Sequence, residues 1–269
     1  MNTLQNVGKE YEINRLIDQA RFWESETESL LNKIDIQQGW NCLDLGCGPM
    51  GVLPSLCKRV GVQGQVTGVD HNPHYIKAAN QLIQQNKLTN ARAIQADFFD
   101  STFNPGNFDL THMRFVFTEI GCDREFLEKS KSITRPGGVV ISQESDWTTW
   151  KCYPPQPAWT NILQSMIKLF KLKGGDINAG LRTYLMFQEA GISDLQIRTV
   201  ILPIPVGHPY RFGLVRFAES MRKKIITAKI LTEEQLSKDI EKSIEILKDP
   251  NIMIFSHTLT QVWGKIKKS

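Results

Sequence analysis

The sequence predicts an α/β fold: an open, mostly parallel sheet with helices on both of its faces. Three observations carry this expectation. Apolar runs of strand length alternate with amphipathic helical stretches between residues 41 and 143. A glycine-rich turn, Gly46-Cys47-Gly48-Pro49-Met50-Gly51, directly follows the first of those runs. Acids close the next two, Asp70 after 65–69 and Asp97 after 91–95. Strands separated by helices need right-handed crossovers, and such crossovers make a parallel sheet.

The elements follow in order. Residues 9–33 place Tyr11, Leu16, Ile17, Ala20, Phe22, Trp23, Leu30 and Leu31 at helical spacing among charges. Strand 41–45 leads through the glycine turn to a helix over 51–60. Strand 65–69 ends at Asp70, and Pro73 opens a helix that runs to Gln85. Strands are expected over 91–95 and 108–114, a helix over 123–133, and a strand over 138–143 opened by Pro136-Gly137-Gly138. Past Trp147 the rhythm changes. Helices over 156–172 and 179–190 precede a strand over 195–204; helices over 210–228 and 232–248 precede an alternating strand over 252–264. The last two strands are expected at the sheet edge, with 205–250 inserted between them.

The 269-residue chain is long enough to bury a substantial core, and a hydrophobic content of 41% with 22% charged residues is that of a globular protein. A net charge of +4, scattered along the chain, gives no basic stripe for nucleic acid. The tail Lys265-Ile266-Lys267-Lys268 is read as a solvated terminus. Cys42, Cys47, Cys57, Cys122 and Cys152 lack CxxC spacing, so neither a disulfide framework nor a metal site is expected. Residues 1–12 lack a basic stretch followed by an apolar run, and no run approaches the roughly 20 residues that span a bilayer. The expected compartment is the cytoplasm, with no membrane insertion and with monomer and homodimer both open.

Function is read from the strand ends, where ligands of open α/β sheets bind. Closely spaced glycines let main-chain N–H groups approach a ligand where a Cβ would collide. Asp44, two residues before Gly46, puts a carboxylate beside that approach; it repels a pyrophosphate and suits an ammonium or sulfonium. Asp70 stands 22 residues past Gly48, where an acid accepts from ribose hydroxyls. Asp97 is placed to accept from an adenine amino group, with Phe98 stacking beside it. Strand 108–114 carries Thr111, His112 and Arg114 into the same crevice. Each acid alone is equally well a helix cap or turn residue; the ordered set is the specific signal.

The motifs LDLGCGPMG (43–51), TGVD (67–70), QADFFD (95–100), FDLTHMRFVF (108–117) and RPGGVVISQE (135–144) resemble those of class I S-adenosylmethionine-dependent methyltransferases. Within that superfamily the chain is most similar to the bacterial small-molecule enzymes of the ubiquinone/menaquinone type. The resemblance implies a Rossmann-like seven-stranded sheet whose last strand, ending in TQVWGK (260–265), is antiparallel. It divides the chain into an N-terminal helical lid (1–36), a cofactor-binding core (37–204 and 251–269) and a helical substrate cap (205–250). It also implies that Asp44, Gly46 and Gly48 meet the methionine moiety of S-adenosyl-L-methionine, Asp70 the ribose, and Asp97 with Phe98 the adenine. His71 and Asn72 would flank the adenosine, and Arg114 belongs to the same set. One departure stands out: Pro49-Met50 intervene before Gly51, where many members have a glycine two residues after the second.

The expected function is methyl transfer to a small, hydrophobic acceptor at O, N or C. Candidates for catalytic work are His112, Arg114 and Glu144, with Asp146 as a further base. Arg114 would bind a substrate carboxylate or pair with Glu119. Trp23, Trp147, Trp150, Tyr153, Trp159, Tyr210 and Phe212 serve cap packing or line an acceptor pocket. Tyr11 and Arg15 on the first helix would close over the cofactor as a lid or, equally, serve the surface. The competing readings are an NAD(P)-dependent oxidoreductase, a nucleic-acid methyltransferase, an arsenite methyltransferase and a non-catalytic adenosylmethionine-binding protein.

Overall fold

A computed structural model describes residues 2–99, 103–120 and 123–268, with side chains from Glu10 onward. Asp100 and Cys122, both within the expectations above, lie outside the described residues. The first half runs α1 (Asn2–Phe22), α2 (Glu24–Leu31), β1 (Asn41–Leu45), α3 (Leu53–Val60), β2 (Gln65–Asp70), α4 (Pro73–Gln85) and β3 (Ala91–Gln95). It continues through β4 (Phe108–Arg114), α5 (Val116–Glu119), α6 (Asp123–Ile133) and β5 (Thr134–Asp146). The second half holds β6 (Lys151–Tyr153), α7 (Pro157–Leu172), α8 (Ala179–Glu189), β7 (Ser193–Val200) and β8 (Pro203–Ile204). Last come α9 (Gly213–Ser220), α10 (Arg222–Thr227), α11 (Glu233–Ile246), β9 (Met253–Phe255) and β10 (Thr258–Lys265).

Seven strands form the main sheet in the order β3-β2-β1-β4-β5-β10-β7. The pairs among β3, β2, β1, β4 and β5 are parallel, and β10 runs antiparallel to both β5 and β7. The strand order reverses at β1, so the crevice lies above the carboxyl ends of β1 and β4. Side chains of a strand alternate between its two faces. Cys42 accordingly joins one apolar cluster, with Leu56, Val66 and Ile141, while Leu43 and Leu45 join another with Phe117, Phe126 and Phe187. Both sheet faces are covered, which is why the strands read as continuous apolar runs.

A third cluster lies outside the sheet. Trp147, Trp159 and Phe170 pack with Phe217, Leu236 and Leu247, and Phe22 and Trp23 of the N-terminal helices join them. A small antiparallel sheet, β6-β9-β8, belongs to the same region. The helical unit is therefore larger than the expected cap 205–250: it shares its core with 147–172, which the sequence assigned to the cofactor-binding part. Arg211 pins it internally, its buried guanidinium donating to the carbonyls of Ile204, Leu247, Asp249 and Ile252.

Four expected elements divide, among them the helix over 210–228, which becomes a 3-10 turn (Pro209–Phe212) followed by α9 and α10. The helix over 9–33 breaks at Trp23. The strand over 195–204 splits because β8 leaves to pair with β9. The strand over 252–264 is interrupted at Ser256 and His257, where Ser256 Oγ donates to the His257 carbonyl and accepts the Leu202 N–H.

Candidate active site

The glycine turn closes on two carboxylates. Asp70, at the end of β2, accepts the Gly48 N–H at 3.0 Å through Oδ2 and the Asn72 N–H at 2.9 Å through Oδ1. It thereby ties the turn to the start of α4, where Asn72 accepts the His74 N–H and Pro73 has no N–H to lose. Asp44 lies beneath the turn, nearly fully buried, and its Oδ2 accepts the Val52 N–H at 3.0 Å. Gly51 has φ +54, and a Cβ there would collide with Asp44 Oδ2. The glycine displaced by Pro49-Met50 is thus the one that lets the turn wrap this carboxylate. Gly48, at φ +55, has nothing within 4 Å of a would-be Cβ, so the crest of the turn faces open space.

Asp44 is held from below by a buried polar spine. His112 Nδ1 lies 2.8 Å from Asp44 Oδ1, and its Nε2 lies 2.8 Å from Gln143 Nε2. Gln143 Oε1 accepts from Gln261 Nε2 at 2.8 Å and from Thr27 Oγ1 at 3.3 Å. That fixes the Gln143 amide nitrogen toward His112, so His112 Nε2 accepts, Nδ1 carries the proton, and the ring is neutral. Gln261 Oε1 accepts from Arg198, whose other nitrogen pairs with Glu26 at 2.5 Å. His112, Gln143 and Gln261 have no accessible surface. Every polar end in the chain of contacts has a partner.

The remaining expected site residues take varied positions. Asp97 is exposed and accepts the Phe99 N–H. Phe98 is buried against Phe126, with ring centroids 4.1 Å apart, so its faces serve the core rather than an adenine, and Phe99 is the exposed neighbour. His71 is 88% exposed beside Asp70. Arg114 ends β4, donates to Thr27 Oγ1 at 3.2 Å, and has no carboxylate within salt-bridge reach among the described residues; the expected Glu119 pairing is absent there. Glu144 is enclosed and accepts the N–H groups of Phe117 and Thr118 and the Thr118 hydroxyl. Burial pushes its carboxyl up to about 7. Asp146 caps the turn at Thr148. Arg15 is buried on α1, paired with Glu12 at 2.8 Å and lying 4.0 Å over the Phe217 ring, while Tyr11 is partly exposed. Cys42, Cys47 and Cys152 are buried free thiols, each pushed up by burial, and Cys57 is pushed up to about 11.

A profile of the family described as "Methyltransferase domain" matches residues 36–186, more than half of the chain. The chain belongs to the class I methyltransferases. A demethylmenaquinone methyltransferase of Staphylococcus epidermidis is 26% identical over 148 residues, covering 54% of this chain and 59% of that protein. The match thus spans less than two thirds of that relative. A Staphylococcus aureus protein of the same name is 23% identical over 210 residues, covering 72% of this chain and 85% of its own. Among solved structures, an Aquifex aeolicus SAM-dependent methyltransferase superposes with a TM-score of 0.53 at 21% identity, covering 73% of this chain and 92% of that one. A Haemonchus contortus phosphoethanolamine N-methyltransferase in complex with S-adenosyl-L-methionine gives 0.56 at 13% identity, covering 91% and 53%. At these identities the structural likeness concerns the fold.

The residues of this methyltransferase fit the family's cofactor. Open space above Gly48 admits a ligand against main-chain N–H groups, and each oxygen of Asp70 retains a lone pair. Asp44 accepts two hydrogen bonds and has no salt bridge to Lys or Arg among the described residues, so its carboxylate adds negative charge to the rim that Arg114 also approaches. Sequence reasoning missed Thr27, Gln143 and Gln261. Gln143 and Gln261 stand opposite each other in the β5–β10 register, a relation that no local motif carries.

Proposed function

We propose that this methyltransferase carries a methyl group from S-adenosylmethionine to a small, flat, apolar acceptor seated above the ends of β4 and β5. The pairing of Asp70 with the Gly48 N–H, over a buried Asp44, is the observation that carries the reading. When bound, the cofactor supplies a methyl group on an already positive sulfur, so no acid is needed for the leaving group. Asp70 orients the ribose, and Asp44 adds negative charge near the methionine moiety. His112 is a positioning residue: with both nitrogens engaged and no accessible surface, it holds the Asp44 rotamer instead of moving a proton. Glu144 shapes the wall at Phe117 and Thr118. Arg114, lacking a carboxylate partner among the described residues, is free to take the carboxylate of the methionine moiety or an oxyanion on the acceptor.

The acceptor class rests on the aromatic lining of the helical unit and on the names of the Staphylococcus relatives, which favour a quinone-like ring. The negative rim argues against a dinucleotide's pyrophosphate. Incubation with S-adenosylmethionine and a panel of phenols, naphthols and quinols, followed by mass spectrometry, tests the reading. A methylated product is expected together with adenosylhomocysteine. Saturable cofactor binding with no product from any acceptor would support the non-catalytic alternative, and no binding at millimolar cofactor would end the proposal.

A further inference from the structure

We infer that Trp23, Phe115, Trp150 and His257 form the acceptor subsite, a ring box that takes a planar aromatic molecule bearing a hydroxyl. The inference rests on the methyltransferase reading and deepens it by naming the groups that read the acceptor. His257 is the common neighbour: its ring centroid lies 5.1 Å from Trp23, 5.3 Å from Trp150 and 5.7 Å from Phe115. Trp23 and Phe115 stand 6.5 Å apart.

Two features separate this box from ordinary core packing. The indole N–H groups of Trp23 and Trp150 are buried without a hydrogen-bond partner. Only Asn178 and Ser243 have other such side-chain atoms among the described residues, so half of the set falls in one ring cluster. A core built for packing alone would use Phe at both places and avoid the cost of an unmade bond. His257, in turn, sits with Nδ1 3.2 Å from the Thr258 carbonyl. Nδ1 therefore donates, which leaves the lone pair of the neutral ring on Nε2. Burial pushes the imidazole down to about 4, which keeps it neutral.

The chemistry of the missing partner follows. Two donors and one acceptor within aromatic walls match a ring hydroxyl, which accepts through its lone pairs and donates its proton. The box also has the required place in the fold. Phe115 directly follows β4 and adopts φ +60, a left-handed backbone rare for a bulky residue. Its ring lies 6.0 Å from the Arg114 guanidinium. His257 precedes Thr258, which pairs with Asp146 at the end of β5. Trp23 stands at the break between α1 and α2, so the roof comes from the N-terminal helices.

Binding of 2-naphthol and of naphthalene to the adenosylhomocysteine-saturated protein, followed by calorimetry, tests the inference. The hydroxyl is expected to tighten binding about tenfold. Trp23→Phe and Trp150→Phe keep the walls and remove one donor each. Each should weaken 2-naphthol about three- to tenfold, leave naphthalene and adenosylhomocysteine unchanged, and leave the melting temperature equal or higher. Trp150→Phe decides alone if Trp23→Phe fails to fold. Equal affinity for the two probes, or unaltered 2-naphthol binding in the variants, would overturn the subsite while adenosylhomocysteine binding still upheld the enzyme. Failure of the unaltered protein to bind adenosylhomocysteine would remove both.

Discussion

Two buried polar groupings sit at the same end of the sheet, and they are built oppositely. The spine from Asp44 through His112 and Gln143 to Gln261 leaves no end unmatched. The ring box a strand away leaves two indole N–H groups unmatched. Both are enclosed in protein, so exposure does not distinguish them. A closed network is architecture: it fixes the Asp44 carboxylate whether or not anything is bound. An open one costs stability until something completes it, which marks it as a place for a ligand.

Breaking the closed grouping should have the largest effect. His112→Ala removes a ring from a packed site and strands Asp44 and Gln143, so a loss of about 3–5 kcal/mol is expected in denaturant unfolding. If it proved mild, the spine would not be the rigid member of the pair. The open grouping should reveal itself through pH. His257 is held at about 4 in the fold against an ordinary 6.5. Its contribution is complete above 6.5 and lost as pH falls toward 4, where the unfolded chain alone takes up the proton. About 3 kcal/mol of acid sensitivity is expected across that window. His257→Phe should flatten that part of a stability-against-pH curve. Gly48→Ala is expected to cost about 1–2 kcal/mol for its left-handed backbone, in an otherwise open place. Gly51→Ala should cost more, because its methyl group meets Asp44. The smallest effect sharpens the contrast most: Trp23→Phe should leave the stability of the ligand-free protein unchanged or raise it by about 1 kcal/mol, as measured by thermal unfolding.

Local structure was more legible in the sequence than either buried grouping. Strands 41–45, 91–95 and 108–114 and helices 73–85 and 123–133 are found where the periodicity put them: strands 41–45 and 108–114 are buried, and helix 73–85 opens on the Asn72 cap. The glycine turn with Asp44 and Asp70 was legible because its spacing is short-range. Phe98 against Phe99 was not, since only packing against Phe126 decides which of two adjacent rings turns inward. The break at Trp23 has no glycine or proline to announce it. The interruption at His257 arises from a hydrogen bond to Leu202, 54 residues away from Ser256 in the chain. The spine needs the register of β5 against β10, and the ring box needs four segments together; neither is a property of any window of sequence.

Calorimetric titration of the unaltered chain and of Asp70→Ala with S-adenosylhomocysteine tests the central claim most directly. One saturable site is expected, weakened by Asp70→Ala about tenfold or more with the melting temperature of the variant recorded alongside. Heat-silent titration at millimolar ligand, or equal affinity in the two proteins, would contradict the account.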